Sequence, residues 1–382
     1  MEICRQCIIP SSFPEASFER GTCRFCRDHT ASPRTHKAVK GRDKLLTALT
    51  PREPGSSNWD CAIPLSGGKD SSYILFYVVR VLHLKPIALF FDNGFAADMA
   101  KRNVAKMCED LGVDLIVGKA SRFRRKLMKE GLIRMSILPT SWRGGLCDNC
   151  ENDLRTFVNN ECSKRSIPFI LWGSTDFEDN AGSLINGKLF RNSYGIQAQI
   201  HKIKKKWNYA EGLLRTVVYL LRRDRGFSDA CRFILSDLKC RYFTIRDNIE
   251  MSPSERWKRL DPFLEVPFDD GNLKLVYFYD YLEYDPIEQI RALREELHWE
   301  SPAGREMRMD CRLHIVANYG SLKATGLTDD GFVLSTLVRN GLLHREDAMK
   351  KEATVKEGLE IDYLGLLNDI GIDDRTIKRL TK

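Results

Sequence analysis

From residue 60 onward, short apolar runs alternate with longer stretches whose apolar positions recur on one side. "CAIPLS" (61–66) predicts a strand and "SSYILFYVVRVLHL" (71–84) a helix with one apolar side. "KPIALFFDNG" (85–94) predicts the next strand, "AADMAKRNVAKMCEDLG" (96–112) a helix and "VDLIVGKA" (113–120) a third strand. After a helical and loop region, "SIPFILWGSTDFED" (166–179) gives a further strand with its exit loop. Strand–helix alternation of this kind predicts an α/β fold: a doubly wound parallel sheet covered on both faces. In such sheets ligands bind at the carboxyl ends of the strands. "LSGGKDSS", "FFDNG" and "LWGSTDFED" are all strand ends, so they should converge on one side.

The pattern differs before and after this block. Residues 1–30 lack apolar periodicity and are rich in Cys, Arg, Ser and Pro, so they need a staple to fold. A polar linker over 31–59 contains one short helical piece, "LLTALT". The sheet domain is expected over 60–200, a basic helical insertion over 201–260, and a mostly helical C-terminal region over 261–382 that completes the site. "HKIKKKW" (201–207) reads first as a solvated basic face.

Of the 382 residues, 43% are apolar and 29% charged, which fits a globular chain with room for two or three domains. No apolar run approaches the roughly 18 residues of a membrane span, and the N-terminus predicts no secretory leader. The twelve cysteines therefore read as intracellular thiols, metal ligands before disulfides, in a cytoplasmic protein. A net charge of +8 suits an anionic substrate without selecting one.

The chemistry concentrates in a few motifs. In Ser66-Gly67-Gly68-Lys69-Asp70-Ser71-Ser72, a strand ends in a turn free of side chains. Backbone N–H groups there can cup an anion at the start of the next helix. Lys69 would add a point charge and Ser71 or Ser72 a hydroxyl. The spacing is not that of a Walker loop. Cys4-x2-Cys7 and Cys23-x2-Cys26, fifteen residues apart, have zinc-ribbon spacing. Four thiolates leave no open coordination position, so that Zn2+ would be structural. Cys147 and Cys150 form a third pair without a nearby partner pair. They need a third ligand from elsewhere, or are redox-active, or are incidental. Cys311, beside Asp310 in "MRMDCRLH", sits in a polar stretch, whereas Cys61, Cys108, Cys162, Cys231 and Cys240 read as buried inert thiols.

SGGKDS after a strand, followed by a second strand ending in Asp92-Asn93-Gly94, resembles the PP-loop ATP pyrophosphatase superfamily. The resemblance implies that the loop, Asp92-Asn93-Gly94 and Gly173 hold ATP with Mg2+, and that Lys69, Asp70 and Asp176 serve catalysis. Gly173 and Asp176 match a later superfamily motif, from which "GSTDFED" departs. Cys147, Cys150 and Cys311 match the ligand arrangement with which one branch holds a [4Fe–4S] cluster. The opening "MEICRQCIIPSSFPEASFERGTCRFC", "WDCAIPLSGGKDSSY", "FILWGS", "DCRLH" and "LVRNGLLHREDAMK" together resemble the N-acetyl sugar amidotransferases of surface-polysaccharide and flagellar-sugar pathways such as O-antigen biosynthesis. That resemblance implies adenylation of an acetamido oxygen on a nucleotide-sugar substrate, and displacement of AMP by ammonia to give an acetamidine. Ammonia would come from a separate glutaminase with a cyclase-like partner, and no membrane is involved. The alternative is a PP-loop sulfurtransferase acting on tRNA or a small molecule, the one enzymatic reading that calls for nucleic acid.

Overall fold

The computed structural model describes residues 2–13, 16–31, 40–50, 57–137, 148–175, 226–247, 273–302 and 305–380. Among them, those of Met1–Lys119, Leu154–Ala181 and Val266–Glu360 form one compact unit. Those of Ala120–Asp153, Gly182–Glu265 and Ile361–Lys382 form another.

The first unit opens with a small antiparallel pair, β1 (Phe18–Glu19) and β2 (Thr22–Cys23), leading into α1 (Arg24–Ala31). After α2 (Arg42–Ala48) come the strands and helices of the alternating block. These are β3 (Cys61–Pro64), α3 (Lys69–Arg80), β4 (Pro86–Asp92), α4 (Asp98–Leu111) and β5 (Asp114–Lys119). With β6 (Phe169–Trp172) and β7 (Lys274–Tyr277) the strands make a five-stranded sheet in the order β5-β4-β3-β6-β7. All pairings are parallel, with Cys61 opposite Pro86 and Ala62 opposite Ile170.

β3 is central, so it is covered on both faces and reads as a run rather than an alternation. Ala62, Ile87, Leu89 and Ile170 pack with Val158 and Cys162 in one core cluster. Those last two residues belong to helix Asp148–Lys164, numbered α6 below. α4 closes at Gly112, whose φ of 64° lies in the left-handed region that glycine tolerates without a Cβ clash. β7 has no counterpart in the sequence reading. It is an edge strand with only Val276 buried and Tyr277 exposed.

The second unit is built on α5 (Arg124–Ile137) and α7 (Gly226–Asp247), which pack along each other. Arg134 pairs with Asp237 at 3.2 Å, and the Ser236 hydroxyl donates to the Glu130 carbonyl at 2.8 Å. The outward face of α7 leaves Phe227, Leu235, Leu238 and Tyr242 exposed. Cys231 is exposed too, contrary to the sequence reading, whereas Cys61, Cys108, Cys162 and Cys240 are buried. Burial pushes the Cys108 thiol up to about 12 and that of Cys240 to about 11.

The first unit continues with α8 (Pro286–Leu297), α9 (His314–Thr325), α10 (Asp329–Arg339) and α11 (Arg345–Lys356). Asp285 caps α8 by accepting from the Ile287 and Glu288 amides at 3.0 and 3.1 Å. α12 (Leu359–Ile370) and α13 (Asp374–Leu380) follow. Among the described residues, no helix is long and apolar enough to cross a membrane.

Candidate functional site

The loop after β3 is shaped by Gly67. Its φ of 81° lies in the left-handed region, and a methyl group there would sit 2.4 Å from the Ala100 carbonyl oxygen. No other residue type fits both constraints. The Gly67 carbonyl accepts from the Trp299 indole N–H at 3.0 Å and from Asn103 Nδ2 at 3.5 Å. Asn103 is itself fixed to Glu300, donating to its carbonyl at 2.8 Å and accepting from its amide at 3.1 Å. Ser66 and Ser71 brace the turn: the Ser66 amide donates to Ser71 Oγ at 3.1 Å, and the Gly68 amide to Ser66 Oγ at 3.3 Å. α3 then begins at Lys69 with no side-chain cap, so its first turn is open to an external anion.

Lys69 is turned into the fold. Its side chain is fully buried and its ammonium pairs with Asp70 at 2.7 Å, also donating to the Met307 carbonyl at 3.3 Å. The Tyr284 ring lies 5.8 Å beneath it. In this arrangement the ammonium lies between the Asp70 carboxylate and the Met307 carbonyl at the start of α3. Ser72 is likewise fully buried, and its hydroxyl has no hydrogen-bond partner among the described residues.

Asp92, Asn93 and Gly94 leave β4 in a tight turn. Asp92 accepts from the Gly94 amide at 2.9 Å and pairs with Lys101 at 2.8 Å. Asn93 accepts from the Phe95 amide at 2.8 Å and donates to Cys311 Sγ at 3.5 Å. The segment around Cys311 lies along this turn as an added antiparallel bridge, Ala96 opposite Cys311. The Ala97 amide donates to the Asp310 carbonyl at 2.9 Å and the Arg312 amide to the Phe95 carbonyl at 2.8 Å. Asp310 reaches the glycine loop: a methyl group on Gly68 would lie 3.5 Å from its carboxyl carbon. Gly173 lets the end of β6 approach α3, since a methyl there would lie 2.9 Å from Ile74 Cδ1. Asp176 lies outside the described residues.

Behind Cys311, α9 is tied to α10. His314 Nε2 meets Asp330 Oδ1 at 2.8 Å, Asn318 Nδ2 donates to Asp330 Oδ2 at 3.0 Å, and Arg308 pairs with Asp329 at 3.3 Å. Burial alone would raise the Asp330 carboxyl, but His314 and, beyond it, Arg308 and Asn318 hold it below its ordinary range.

Cys4, Cys7, Cys23 and Cys26 are all buried, and their sulfurs lie within 4.8 Å of one another. Cys4 to Cys26 is 3.8 Å and Cys7 to Cys23 is 3.7 Å. A tetrahedral ion with metal–sulfur bonds of about 2.3 Å needs sulfurs about 3.8 Å apart, so the donor set fits Zn2+. The Cys23 amide donates to Cys4 Sγ at 3.3 Å, as thiolate ligands commonly require. Arg345 of α11 clamps the Cys4 carbonyl at 3.0 Å and the Cys7 carbonyl at 3.0 Å. Phe13 stacks on Phe332 of α10 at 5.1 Å, and Phe25 meets the same ring edge-on at 5.9 Å.

Cys150 stands in the first turn of α6, in the second unit. Arg124, nearly fully buried, donates to its sulfur at 3.3 Å and pairs with Asp153. Cys311 belongs to the first unit, and Cys147 lies outside the described residues. Trp299, Asn103 and Asp310 are site residues that sequence reasoning missed. Only Asp310 had a signal, its place beside Cys311.

No protein-family model matches the chain, and no curated protein matches it. Among solved structures it is similar to the U34-tRNA thiolase NcsA from Methanococcus maripaludis with its [4Fe-4S] cluster. The identity is 17% over 94% of this chain and 88% of that one, with a TM-score of 0.33. Likeness at this level decides nothing about substrate or reaction, which rest on the loops themselves.

Proposed function

We propose that this protein is an ATP-dependent enzyme of the PP-loop type, cleaving ATP to AMP and pyrophosphate. The observation that carries the reading is the glycine loop at the carboxyl end of β3. It is held from one side by Trp299 and Asn103 and feeds an uncapped helix start. Such a start favours anions through its free amides and dipole. The ATP pyrophosphate would sit on the first-turn amides of α3, beside Ser66 and Ser71. Mg2+, when bound, would supply charge neutralisation between the phosphate oxygens.

The acceptor in this reading is the acetamido oxygen of a nucleotide-linked sugar. That oxygen attacks the α-phosphorus and pyrophosphate leaves. Ammonia then adds to the activated carbon, a proton is lost, and AMP departs with the original oxygen, giving an acetamidine. Adenylation converts a very poor leaving group into a good one. The order of the cysteine-rich opening, SGGKDS and "DCRLH" along the chain supports this acceptor. Ammonia would be supplied by a separate glutaminase through a cyclase-like partner.

A second reading, thiolation of tRNA or a small molecule, is favoured by one feature: the Cys311 sulfur lies 3.5 Å from Asn93 at the candidate nucleotide loops. With Cys147 and Cys150 it would hold a [4Fe–4S] cluster that carries sulfur. One experiment separates the readings. Purified protein is incubated with ATP, Mg2+ and nucleotide-linked N-acetyl sugars, with ammonium or with sulfide. AMP and pyrophosphate, with oxygen exchanged for NH in the sugar, support the amidotransferase. ADP as product overturns the PP-loop reading altogether.

A further inference from the structure

Three carboxylates stand near the carboxyl ends of β3 and β4, Asp70 in the first turn of α3, Asp92 at the end of β4 and Asp310 on the segment bridged to Ala96, and they differ in their partners. Asp70 is paired with Lys69 at 2.7 Å and Asp92 with Lys101 at 2.8 Å. The half-buried Asp310 side chain has no ion pair or hydrogen bond among the described residues. Its backbone is fixed, because the Ala97 amide holds its carbonyl and Arg312, next in the chain, donates to Phe95. Its carboxyl carbon is 3.5 Å from where a methyl on Gly68 would stand, beside the loop that is open to an anion.

A fixed carboxylate beside an anion-binding helix start repels a bare phosphate. A divalent cation between them reverses the sign. Mg2+ keeps several of its waters and is usually held by one or two carboxylates together with substrate phosphates. One carboxylate without a counter-ion among the described residues suits it, with phosphate and water oxygens completing the coordination. We infer that Asp310 is the protein ligand of the magnesium ion that accompanies the nucleotide, so that the glycine loop accepts the metal complex and rejects free ATP. This inference rests on the proposed ATP-binding function.

The test is equilibrium binding of α,β-methylene-ATP, which cannot be split between its α and β phosphates, by calorimetry with either Mg2+ or EDTA. Wild-type protein should bind at least about tenfold more tightly with Mg2+, given the Coulomb energies at such distances. In Asp310→Asn, EDTA-condition binding should strengthen and the Mg2+ preference should shrink to near unity. Asp310→Glu keeps the charge and should keep most of that preference. With Mn2+ in place of Mg2+, electron paramagnetic resonance of the bound complex should change between wild type and Asp310→Asn. An unchanged Mg2+ preference in a folded Asp310→Asn protein overturns the inference while leaving nucleotide binding intact. So does Asp310→Asn that binds normally but no longer turns over, since that marks a role in the reaction rather than in metal binding. Wild-type protein that binds no adenine nucleotide in either condition overturns the ATP reading and this inference with it.

Discussion

Lys69→Met tests where the loop lysine spends its charge. Its side chain is 0% exposed and that of Asp70 is 18% exposed, at an ammonium–carboxylate distance of 2.7 Å. Removing one member of a buried pair costs about 3–5 kcal/mol, because the other is left charged and unpaired. The residual exposure of Asp70 puts the expected loss near the lower end, about 3 kcal/mol. With an m-value of about 3 kcal/mol/M, that is a fall of about 1 M in the urea midpoint. Asp70→Asn strands the Lys69 ammonium against the Met307 carbonyl and the Tyr284 ring, and should cost a similar amount. The double variant Lys69→Met/Asp70→Asn removes both charges. It should recover much of the loss, with a coupling energy of about 2–3 kcal/mol. The assay is urea unfolding followed by circular dichroism on all four proteins, with m-values checked for constancy. Additive losses would refute a coupled pair. A Lys69→Met protein as stable as wild type but unable to bind nucleotide would refute the buried-pair reasoning and return Lys69 to the role of phosphate ligand.

Cys23→Ser should lower bound zinc from one ion per chain to none, read by metal analysis, and open residues 2–31 to trypsin, since structural zinc supplies about 10–16 kcal/mol to such folds. Asp330→Asn tests linkage: the Asp330 carboxyl sits below its ordinary value of 3.8, so the folded chain favours its ionised form. That stability is present above about pH 4 and lost as pH falls through the lower, folded-state value. Urea midpoints of wild type and Asp330→Asn measured from pH 7 to pH 3 should therefore converge at the acid end.

Local patterns carried much of the fold. The runs at 61–66, 85–94, 113–120 and 166–172 all stand in the sheet, and β3, β4 and β6 are rich in apolar residues because they are buried parallel strands. The Cys-x2-Cys pairs foretold their own convergence, because short turns hold each pair and a metal supplies the missing core. SGGKDS announced a loop that only glycine can make, and Gly67 meets that requirement through its φ and its contact with Ala100.

What depends on partners far along the chain was not legible there. That the Lys69 ammonium meets the Met307 carbonyl and the Tyr284 ring is set by residues far along the chain. β7 pairs with β6 only once residues some hundred positions apart meet, with Val276 buried and Leu275 packed on the core cluster. Cys231 read as buried from its apolar neighbours, but α7 turns that face outward. Trp299 joins the loop across 232 residues of sequence and Asn103 across 36, and Asp310 approaches Gly68 from equally far along the chain, through contacts that exist only once the chain is folded. The sequence alone determined four of the five sheet strands, the glycine turn and the convergence of the four thiols, because each follows from residue types within a few positions of one another. The tertiary structure alone decided which charges face the loop, because charge pairing and burial are set by whatever the distant chain brings alongside.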